Sequence, residues 1–270
     1  MPSFDTPFGQ LLFATTLIKC VMRDGSPKQG TGFILDYEAP GGDIPLLVTC
    51  KHVVAGANEF TLHLTAQKPD DGSGEPILDL GTRVELRLGE GESLWFPHPD
   101  PDVDIAVLPM VPILNLIGDH GIDCYTTSLP TSMIPSGPHL QMIDVREPVV
   151  FVGYPYGYMD ERHSLPLIRT GYTASHIDLH YNGLPGFYVD GHFHPGSSGS
   201  PILILDKIIA LNQKEEHVIF EKKYLVGIAA SSDPAPGGRY IGQEIGLGFA
   251  FNSNMILDTA ELYLKHMGVI

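Results

Sequence analysis

The chain has 270 residues and a formal net charge of −16 at pH 7, from 32 acidic and 16 basic residues. A surface this acidic repels phosphate backbones, so we expect no nucleic-acid partner. No apolar run approaches the roughly 18 residues that a membrane-spanning helix needs, so we expect no membrane partner either.

The three cysteines, Cys20, Cys50 and Cys124, cannot all pair within one chain, and their spacing matches no metal site. The stretch 1–20 lacks a basic segment that leads into a long apolar one, so we predict no signal peptide. Both observations favour a reducing compartment, and we expect a cytoplasmic protein.

Short runs that are apolar or that alternate in polarity dominate the first half of the chain and predict β-strands. Turn-rich stretches such as 68–76 and 96–102 separate these runs. The strands predicted in this half are 11–22, 30–37, 45–54, 60–66, 83–88 and 104–110.

The stretch 112–146 is weakly patterned and predicts a connector, after which strand-like runs resume. The last segment, 252–268, is predicted to be a helix, because Ile256, Ala260 and Leu264 recur at helical spacing. The strands predicted in the second half are 146–155, 166–175, 186–191, 201–212, 224–231 and 247–251.

Two sets of about six strands and a terminal helix predict an all-β protein with two six-stranded antiparallel β-barrels. We expect these elements to form one domain in four parts. These are an N-terminal barrel (1–125), a connector (126–147), a C-terminal barrel (148–251) and a C-terminal helix (252–270).

The stretch HPGSSGSPI (194–202) places three serines among glycines and prolines before the sequence becomes apolar again. A nucleophilic serine needs a tight loop that exposes its hydroxyl, with backbone N–H groups nearby to hold an oxyanion. Glycines permit such a loop because they lack a Cβ. An ordinary polar turn has the same composition, so these residues alone leave both interpretations open.

His52 and Asp104 fit the same chemistry. His52 is predicted at a strand end, from which an imidazole can enter a cleft, although a single core or surface histidine is commoner. Asp104 directly precedes the apolar run IAVL, where a carboxylate is costly unless it is hydrogen-bonded or paired. It could accept a hydrogen bond from an imidazole N–H. Asp100 and Asp102 are competing candidates that also fit solvated loop positions.

His192 and His194 form a His-x-His pair that could bind zinc. No acidic or cysteine ligand accompanies them at a diagnostic spacing, so a zinc hydrolase is the weaker alternative. We therefore expect no metal and no other cofactor.

In the chain order His, Asp, Ser, these motifs resemble the chymotrypsin-like (trypsin-fold) serine proteases, particularly the bacterial high-temperature-requirement branch. The resemblance extends over nearly the whole chain. VTCKHVV (48–54) is similar to the Thr-x-x-His-Val motif of that branch, with Cys50 where alanine or asparagine is usual. The other similar stretches are GTGFIL (30–35), DIAVL (104–108), VGYPYG (152–157), RTGYTAS (169–175), VDGHFHPGSSGSPIL (189–203) and GLGFAF (246–251).

The resemblance implies a catalytic triad and an oxyanion hole. Ser198 would be the nucleophile, because it fills the third place of Gly-x-Ser-Gly. His52 would be the general base and then the general acid, and Asp104 would orient it. The backbone N–H groups of Gly196 and Ser198 would bind the oxyanion.

Two serines depart from the family pattern. Ser200 replaces the usual second glycine, and Ser197 replaces an aspartate that pairs with a freshly cut N-terminus in secreted members. Activation by N-terminal cleavage is therefore not expected. The resemblance also implies a substrate pocket for a small or medium apolar side chain, formed by Asp190, His192, Ile228, Ala229, Ala230 and Ser231.

We therefore expect a serine endopeptidase that acts on a protein or peptide substrate through an acyl-enzyme. A further hypothesis is a latent enzyme in which an activating partner or ligand orders the loops 68–76, 156–165 and 213–223. The alternative from another class is a protease-fold binding module with little or no turnover.

Overall fold

The computed structural model describes residues 4–68, 72, 77–89, 91–211, 217–231 and 246–270, with the backbone alone for 207–211, 217–220 and 231. Strands dominate these residues and form two largely antiparallel sheets. The predicted all-β class with a C-terminal helix is confirmed.

The first half of the chain forms a nine-stranded sheet. Its strands are β1 (Thr15–Met22), β2 (Pro27–Ala39), β3 (Gly42–Thr49), β4 (Ala57–Lys68), β5 (Ile77–Leu88), β6 (Phe96–Pro97), β7 (Ala106–Pro109), β8 (Cys124–Tyr125) and β9 (Leu129–Pro130). The hydrogen-bonded order is β5-β4-β1-β2-β3-β7-β6, with β8 on β4 and β9 on β2. Within the described residues this path does not return from β6 to β5. Six of the nine strands correspond to the six that the sequence predicts for this half, and the short strands β6, β8 and β9 are additional.

The second half forms a closed barrel of six strands, in the order β10-β11-β12-β15-β14-β13. This closed barrel confirms the prediction for the C-terminal half. The strands are β10 (Pro148–Gly153), β11 (Leu167–Thr173), β12 (Gly186–Asp190), β13 (Pro201–Leu211), β14 (His217–Ser231) and β15 (Leu247–Asn252).

Five α-helices lie within the described residues: α1 (Pro7–Ala14), α2 (Lys51–Val54), α3 (Val111–Asp119), α4 (Pro138–Gln141) and α5 (Ser253–His266). Short 3₁₀ turns occur at Gly91–Leu94, Thr131–Met133 and Pro155–Gly157. None of the described helices is long and apolar enough to cross a lipid bilayer.

One apolar cluster joins the two halves. Val48 and Val107 of the first sheet belong to the same buried cluster as Leu203, Ile228 and Phe249 of the barrel. Helix α5 packs against β7, β14 and β15, with the predicted positions Ile256, Ala260 and Leu264 buried. Removal of this apolar surface from water is the main favourable contribution to the packing of the halves.

Helices α1 and α3 lie where the sequence predicts no helix. A strand is predicted over 11–22, but α1 occupies the first part of that stretch and β1 begins at Thr15. Thr6 Oγ1 accepts a hydrogen bond from the Gly9 N–H at 3.1 Å, and Pro7 stands at the first helical position, which favours a helix start. Helix α3 lies in the stretch where we expect a connector.

His63, in β4, is a buried histidine. Its Nδ1 lies 3.4 Å from Glu85 Oε1, and neither ring nitrogen has a hydrogen-bond partner among the described residues. Burial, with the charges of Lys19 and Arg83, lowers the pKa of His63 from 6.5 to about 4, although Glu85 opposes the shift.

We expect acid to destabilise the fold through His63. Because the unfolded chain binds the proton more tightly, the free energy of unfolding falls as the pH drops below 6.5 and levels off below about 4. This group contributes up to roughly 1.4 kcal/mol per pH unit in that window. Urea denaturation at a series of pH values should show that the free energy of unfolding depends less on pH in His63→Gln than in the wild type. His180→Gln, which changes an exposed histidine, is the control and should keep the wild-type pH dependence. The same pH dependence of the free energy of unfolding in His63→Gln as in the wild type would contradict the prediction.

Candidate active site

His52 lies where a strand gives way to a short helix. The sequence predicts a strand over 45–54, but β3 ends at Thr49 and α2 follows. Val53 and Val54 of α2 are buried in the core, whereas His52 is partly exposed. The change from strand to helix thus leaves the imidazole at the protein surface.

Asp104 contacts His52 through both carboxylate oxygens. The His52 backbone N–H donates to Asp104 Oδ1 at 2.9 Å, and His52 Nδ1 lies 2.5 Å from Asp104 Oδ2. These two contacts fix the orientation of the ring and favour the tautomer with the proton on Nδ1. His52 Nε2 is then free to accept a proton.

The competing acids lie in the loop that precedes Asp104. Asp100 Oδ1 accepts the Asp102 N–H at 2.9 Å, and Lys51 Nζ donates to the Asp100 backbone oxygen at 2.6 Å. Both competing side chains are exposed. Asp104 is therefore the acid of the three that contacts His52.

The loop that contains the three serines is closed by its own backbone hydrogen bonds. The Ser197 N–H donates to His194 O at 2.8 Å, and the Ser200 N–H donates to Ser197 O at 3.0 Å. Ser197 and Ser200 are buried, whereas Ser198 is partly exposed and lines a cavity with His52. Ser198 is thus the serine that a substrate can reach.

The Ser198 hydroxyl donates a hydrogen bond to Ala230 O at 2.6 Å. In the part of the chain that the structure describes, no hydrogen bond joins Ser198 Oγ to His52. Because the hydroxyl has one proton, it cannot donate to Ala230 O and to the imidazole at the same time. The observed geometry is therefore a resting arrangement of the hydroxyl.

Two backbone N–H groups beside Ser198 can receive an anionic oxygen. Pro195 O accepts the Tyr156 N–H at 2.5 Å, and Ser197 O is bonded within the loop as described above. Because the N–H and C=O of a trans peptide point in opposite directions, the N–H groups of Gly196 and Ser198 point away from those donors. Neither N–H donates to an acceptor among the described residues. Both are available to bind an oxyanion.

Close packing around the loop depends on glycine at two positions. Gly196 has φ +90°, and a Cβ there would lie 2.4 Å from Tyr154 O. On β10, a Cβ at Gly153 would lie 2.1 Å from Ser200 Oγ, a buried hydroxyl without a hydrogen-bond partner among the described residues. An L side chain at either position therefore requires the backbone or a neighbour to move.

Thr31, in β2, holds the serine loop from the opposite half of the molecule. Its N–H donates to Ser198 O and its Oγ1 donates to Gly196 O, both at 2.8 Å. Oγ1 also accepts the Tyr154 N–H at 3.1 Å, and Thr49 Oγ1 donates to Thr31 O at 2.7 Å. Sequence reasoning missed Thr31; a hydroxyl residue between two glycines in GTGFIL is the signal that could have identified it.

Two adjoining cavities flank these residues. A cavity of about 700 Å³ opens over His52, Gly196 and Ser198 and continues along the N-terminal sheet. A second cavity, of about 250 Å³, meets the first at Pro195, which lines both. The second is lined by Tyr156, His192, Phe193, His194, Pro195 and Leu247.

The predicted pocket residues occupy different environments. His192 lines the smaller cavity, whereas Asp190 is exposed at the end of β12. The side chain of Ser231 lies outside the described residues. Tyr156 and Leu247, which also line the cavity, were not predicted, because their approach to His192 depends on the folded barrel.

Ala229 and Ala230 contribute backbone oxygens to the site, and Ile228 precedes them in β14. Their side chains are buried in the core. Ala229 O accepts the Gly199 N–H at 2.7 Å, and Ala230 O accepts the Ser198 hydroxyl. The backbone oxygens of Ala229 and Ala230 therefore hold the serine loop by hydrogen bonds.

Cys50, His52 and Asp104 bring possible metal ligands together, because their ligand atoms all lie within 4.8 Å of one another. Cys50 Sγ donates to Ala229 O at 3.3 Å. Burial, followed by the charge of Asp104, raises the pKa of this thiol well above its usual value. Since metals bind the thiolate, a protonated Cys50 makes this trio a poor metal centre.

The two histidines for which zinc binding was the alternative, His192 and His194, stack against each other. Their ring centroids are 5.8 Å apart and their planes differ by 10°. Burial and the charges of Arg169 and His192 lower the pKa of His194.

A family model for the trypsin-like peptidase domain matches residues 30–207. The matched range includes His52, Asp104 and Ser198. The chain belongs to the trypsin-like peptidase family. No curated protein matches it.

Solved structures with a similar fold include proteases and an inactivated protease paralogue. An HtrA-type protease with a tripeptide has a TM-score of 0.51 and 16% identity, with 98% of this chain and 64% of that one covered. HL collagenase has a TM-score of 0.51 and 13% identity, with coverage of 97% and 96%. A scabies mite inactivated protease paralogue has a TM-score of 0.50 and 13% identity, with coverage of 95% and 96%. This chain thus spans under two thirds of the HtrA-type protease, and at these identities the likeness concerns the fold alone.

We expect Asp104→Asn to lower kcat for peptide hydrolysis by about four orders of magnitude, because the amide no longer favours the productive imidazole tautomer. Steady-state kinetics on a chromogenic peptide measures the effect. Asp102→Asn, which removes a neighbouring exposed acid, should retain wild-type kcat. Similar losses in both variants would show that Asp104 has no special role.

Gly196→Ala should lower kcat by about 100-fold, because a Cβ displaces one N–H donor of the oxyanion site. Gly121→Ala is the matched control, since Gly121 also has a positive φ (+69°) but no heavy atom within 4 Å of the added Cβ. Kinetics should be measured below the unfolding temperature of each variant, as determined by circular dichroism. Wild-type kcat in folded Gly196→Ala would contradict the assignment.

Proposed function

We propose that this trypsin-like peptidase is a serine endopeptidase that uses Ser198, His52 and Asp104. The observation that carries the proposal is the two-point contact between His52 and Asp104, beside a cavity that His52 shares with Ser198. An oriented imidazole and an accessible hydroxyl in one cavity are the parts that nucleophilic catalysis needs.

In the proposed reaction, His52 Nε2 takes the proton from Ser198 Oγ while the oxygen attacks the substrate carbonyl. Asp104 stabilises the imidazolium that forms. The tetrahedral oxyanion accepts hydrogen bonds from the N–H groups of Gly196 and Ser198. His52 then protonates the leaving amine. In the second half of the reaction, His52 takes a proton from the water that attacks the acyl-enzyme, and it returns this proton to Ser198 Oγ as the acid product leaves.

The resting hydroxyl supports the hypothesis of a latent enzyme that an activating partner or ligand switches on. The hydrogen bond from Ser198 Oγ to Ala230 O must break before the serine can donate to His52. Binding that favours the rotated hydroxyl would raise activity by mass action. Of the loops predicted to respond, 156–165 is described. Residues 69–71 and 73–76 of the loop 68–76, and residues 213–216 of the loop 213–223, lie outside the described residues.

A protease-fold binding module remains the alternative. It is favoured by the same resting hydroxyl, and by the similar fold of a scabies mite inactivated protease paralogue. Full activity of the purified protein on casein would remove both the alternative and the need for an activator.

For location and partners, we propose a cytoplasmic enzyme with a protein or peptide substrate and without a nucleic-acid or membrane partner. Cys20, Cys50 and Cys124 are all free thiols, which supports a reducing compartment. The net charge of −16 supports the exclusion of nucleic acid.

Ser198→Ala should abolish both peptide hydrolysis and labelling by a fluorophosphonate, because both need the Ser198 hydroxyl. Intact-mass analysis and peptide mapping should place the wild-type adduct on Ser198. Ser200→Ala is the control in the same loop, since its buried hydroxyl has no hydrogen-bond partner among the described residues, and it should still be labelled. Cleavage by folded Ser198→Ala would overturn the assignment of the nucleophile.

A further inference from the structure

The larger cavity extends from the proposed catalytic residues across four strands of the N-terminal sheet. Arg87 of β5 pairs with Thr61 of β4, Thr61 pairs with Lys19 of β1, and Lys19 pairs with Gln29 of β2. Residues that pair directly across strands point to the same face of a sheet. These four side chains therefore form one row, and all four line the cavity with His52.

This face is cationic in a strongly acidic protein. Lys19, Lys28 and Arg87 line the cavity, and Glu59 is its acidic lining residue. The Glu59 carboxylate is already engaged, since Arg87 Nε lies 3.4 Å from its Oε1. Lys19 is exposed and makes no ion pair with any residue that the structure describes. Acidic residues outnumber basic ones 32 to 16 in the chain, so the charge balance of the residues that line this cavity is the reverse of that of the whole chain.

Lys28 links the cationic face to the proposed general base. Its Nζ donates a hydrogen bond to the His52 backbone oxygen. The cationic face therefore begins beside His52 and extends along the sheet through Lys19 to Arg87.

The proposed reaction indicates which part of a substrate lies on this face. The acyl portion becomes bonded to Ser198, whereas the leaving amine takes its proton from His52. The segment that follows the leaving amine must start beside the imidazole. His52 belongs to the N-terminal half, and the cavity that contains it runs along the N-terminal sheet.

We propose that this cationic face binds the substrate residues on the C-terminal side of the scissile bond and selects acidic side chains there. The inference rests on the proposed function and names a substrate class for it: peptides with aspartate or glutamate in the first few positions after the cleaved bond. Attraction between opposite charges beside a protein surface supplies the preference, and salt weakens it.

The test compares peptides that are identical up to the scissile bond and carry Glu, Gln or Lys at each of the next three positions. For the wild type we expect kcat/KM to be about fivefold higher with Glu than with Gln at one or more of these positions, as for a single exposed ion pair, and lowest with Lys. Lys19→Glu should reverse the order of the Glu and Lys peptides. Lys265→Glu, the same charge change on exposed α5, should leave the order unchanged.

Equal kcat/KM values for the Glu and Gln peptides, or an unchanged order in Lys19→Glu, would overturn the inference. A second readout does not need turnover: fluorescence anisotropy of labelled peptides with Ser198→Ala should show tighter binding of the Glu peptide. If the wild type neither cleaves peptides nor reacts with fluorophosphonate while this binding preference persists, the proposed function fails and the acid-selective face stands.

Discussion

The hydrogen bonds of Thr31 fix the nucleophile loop against the N-terminal sheet, and the geometry of the site depends on them. Apolar burial between the halves is strong but non-directional, so it does not by itself set the position of Ser198 relative to His52. The Thr31 N–H and hydroxyl bind the carbonyls of Ser198 and Gly196, so a single residue of β2 holds the loop at two points. Thr49 in turn holds Thr31 by its carbonyl. Since β3 ends at Thr49 and α2 follows, the same network connects the loop to the segment that presents His52.

The chemistry-bearing residues could be predicted because their local sequence is unusual for its position. A carboxylate directly before IAVL, as at Asp104, needs a partner, and a Gly-x-Ser-Gly loop before an apolar strand suggests an exposed hydroxyl. The contacts that control those groups are long-range, so a local pattern such as the threonine between two glycines at position 31 does not identify the partner. Thr31 and Gly196 are 165 positions apart in the chain, and Ser198 and Ala230 are 32 apart. The resting position of the hydroxyl was therefore not predictable from the sequence.

The fold prediction was accurate for strands and weaker for short helices. Period-2 alternation marks a strand with one buried face, and the closed barrel agrees with it. Helix α1 was missed because its apolar residues run without a break into those of β1, so periodicity does not separate the two. The capping residue Thr6 and Pro7 were the better signals. In α3, Ile113 and Ile117 are buried one turn apart, a spacing too brief to stand out in a weakly patterned stretch.

The contact between Gly153 and Ser200 has an evolutionary consequence. A Cβ on Gly153 would meet Ser200 Oγ at 2.1 Å and Thr31 Oγ1 at 2.7 Å, so the three positions share one small volume. The residue types at 31, 153 and 200 are therefore expected to covary among relatives. A chain with alanine at position 153 has room for it if glycine stands at 200 and the residue at 31 yields as well. The serine at 200 thus restricts which substitutions the lineage can accept on β10, a strand far from it in the sequence.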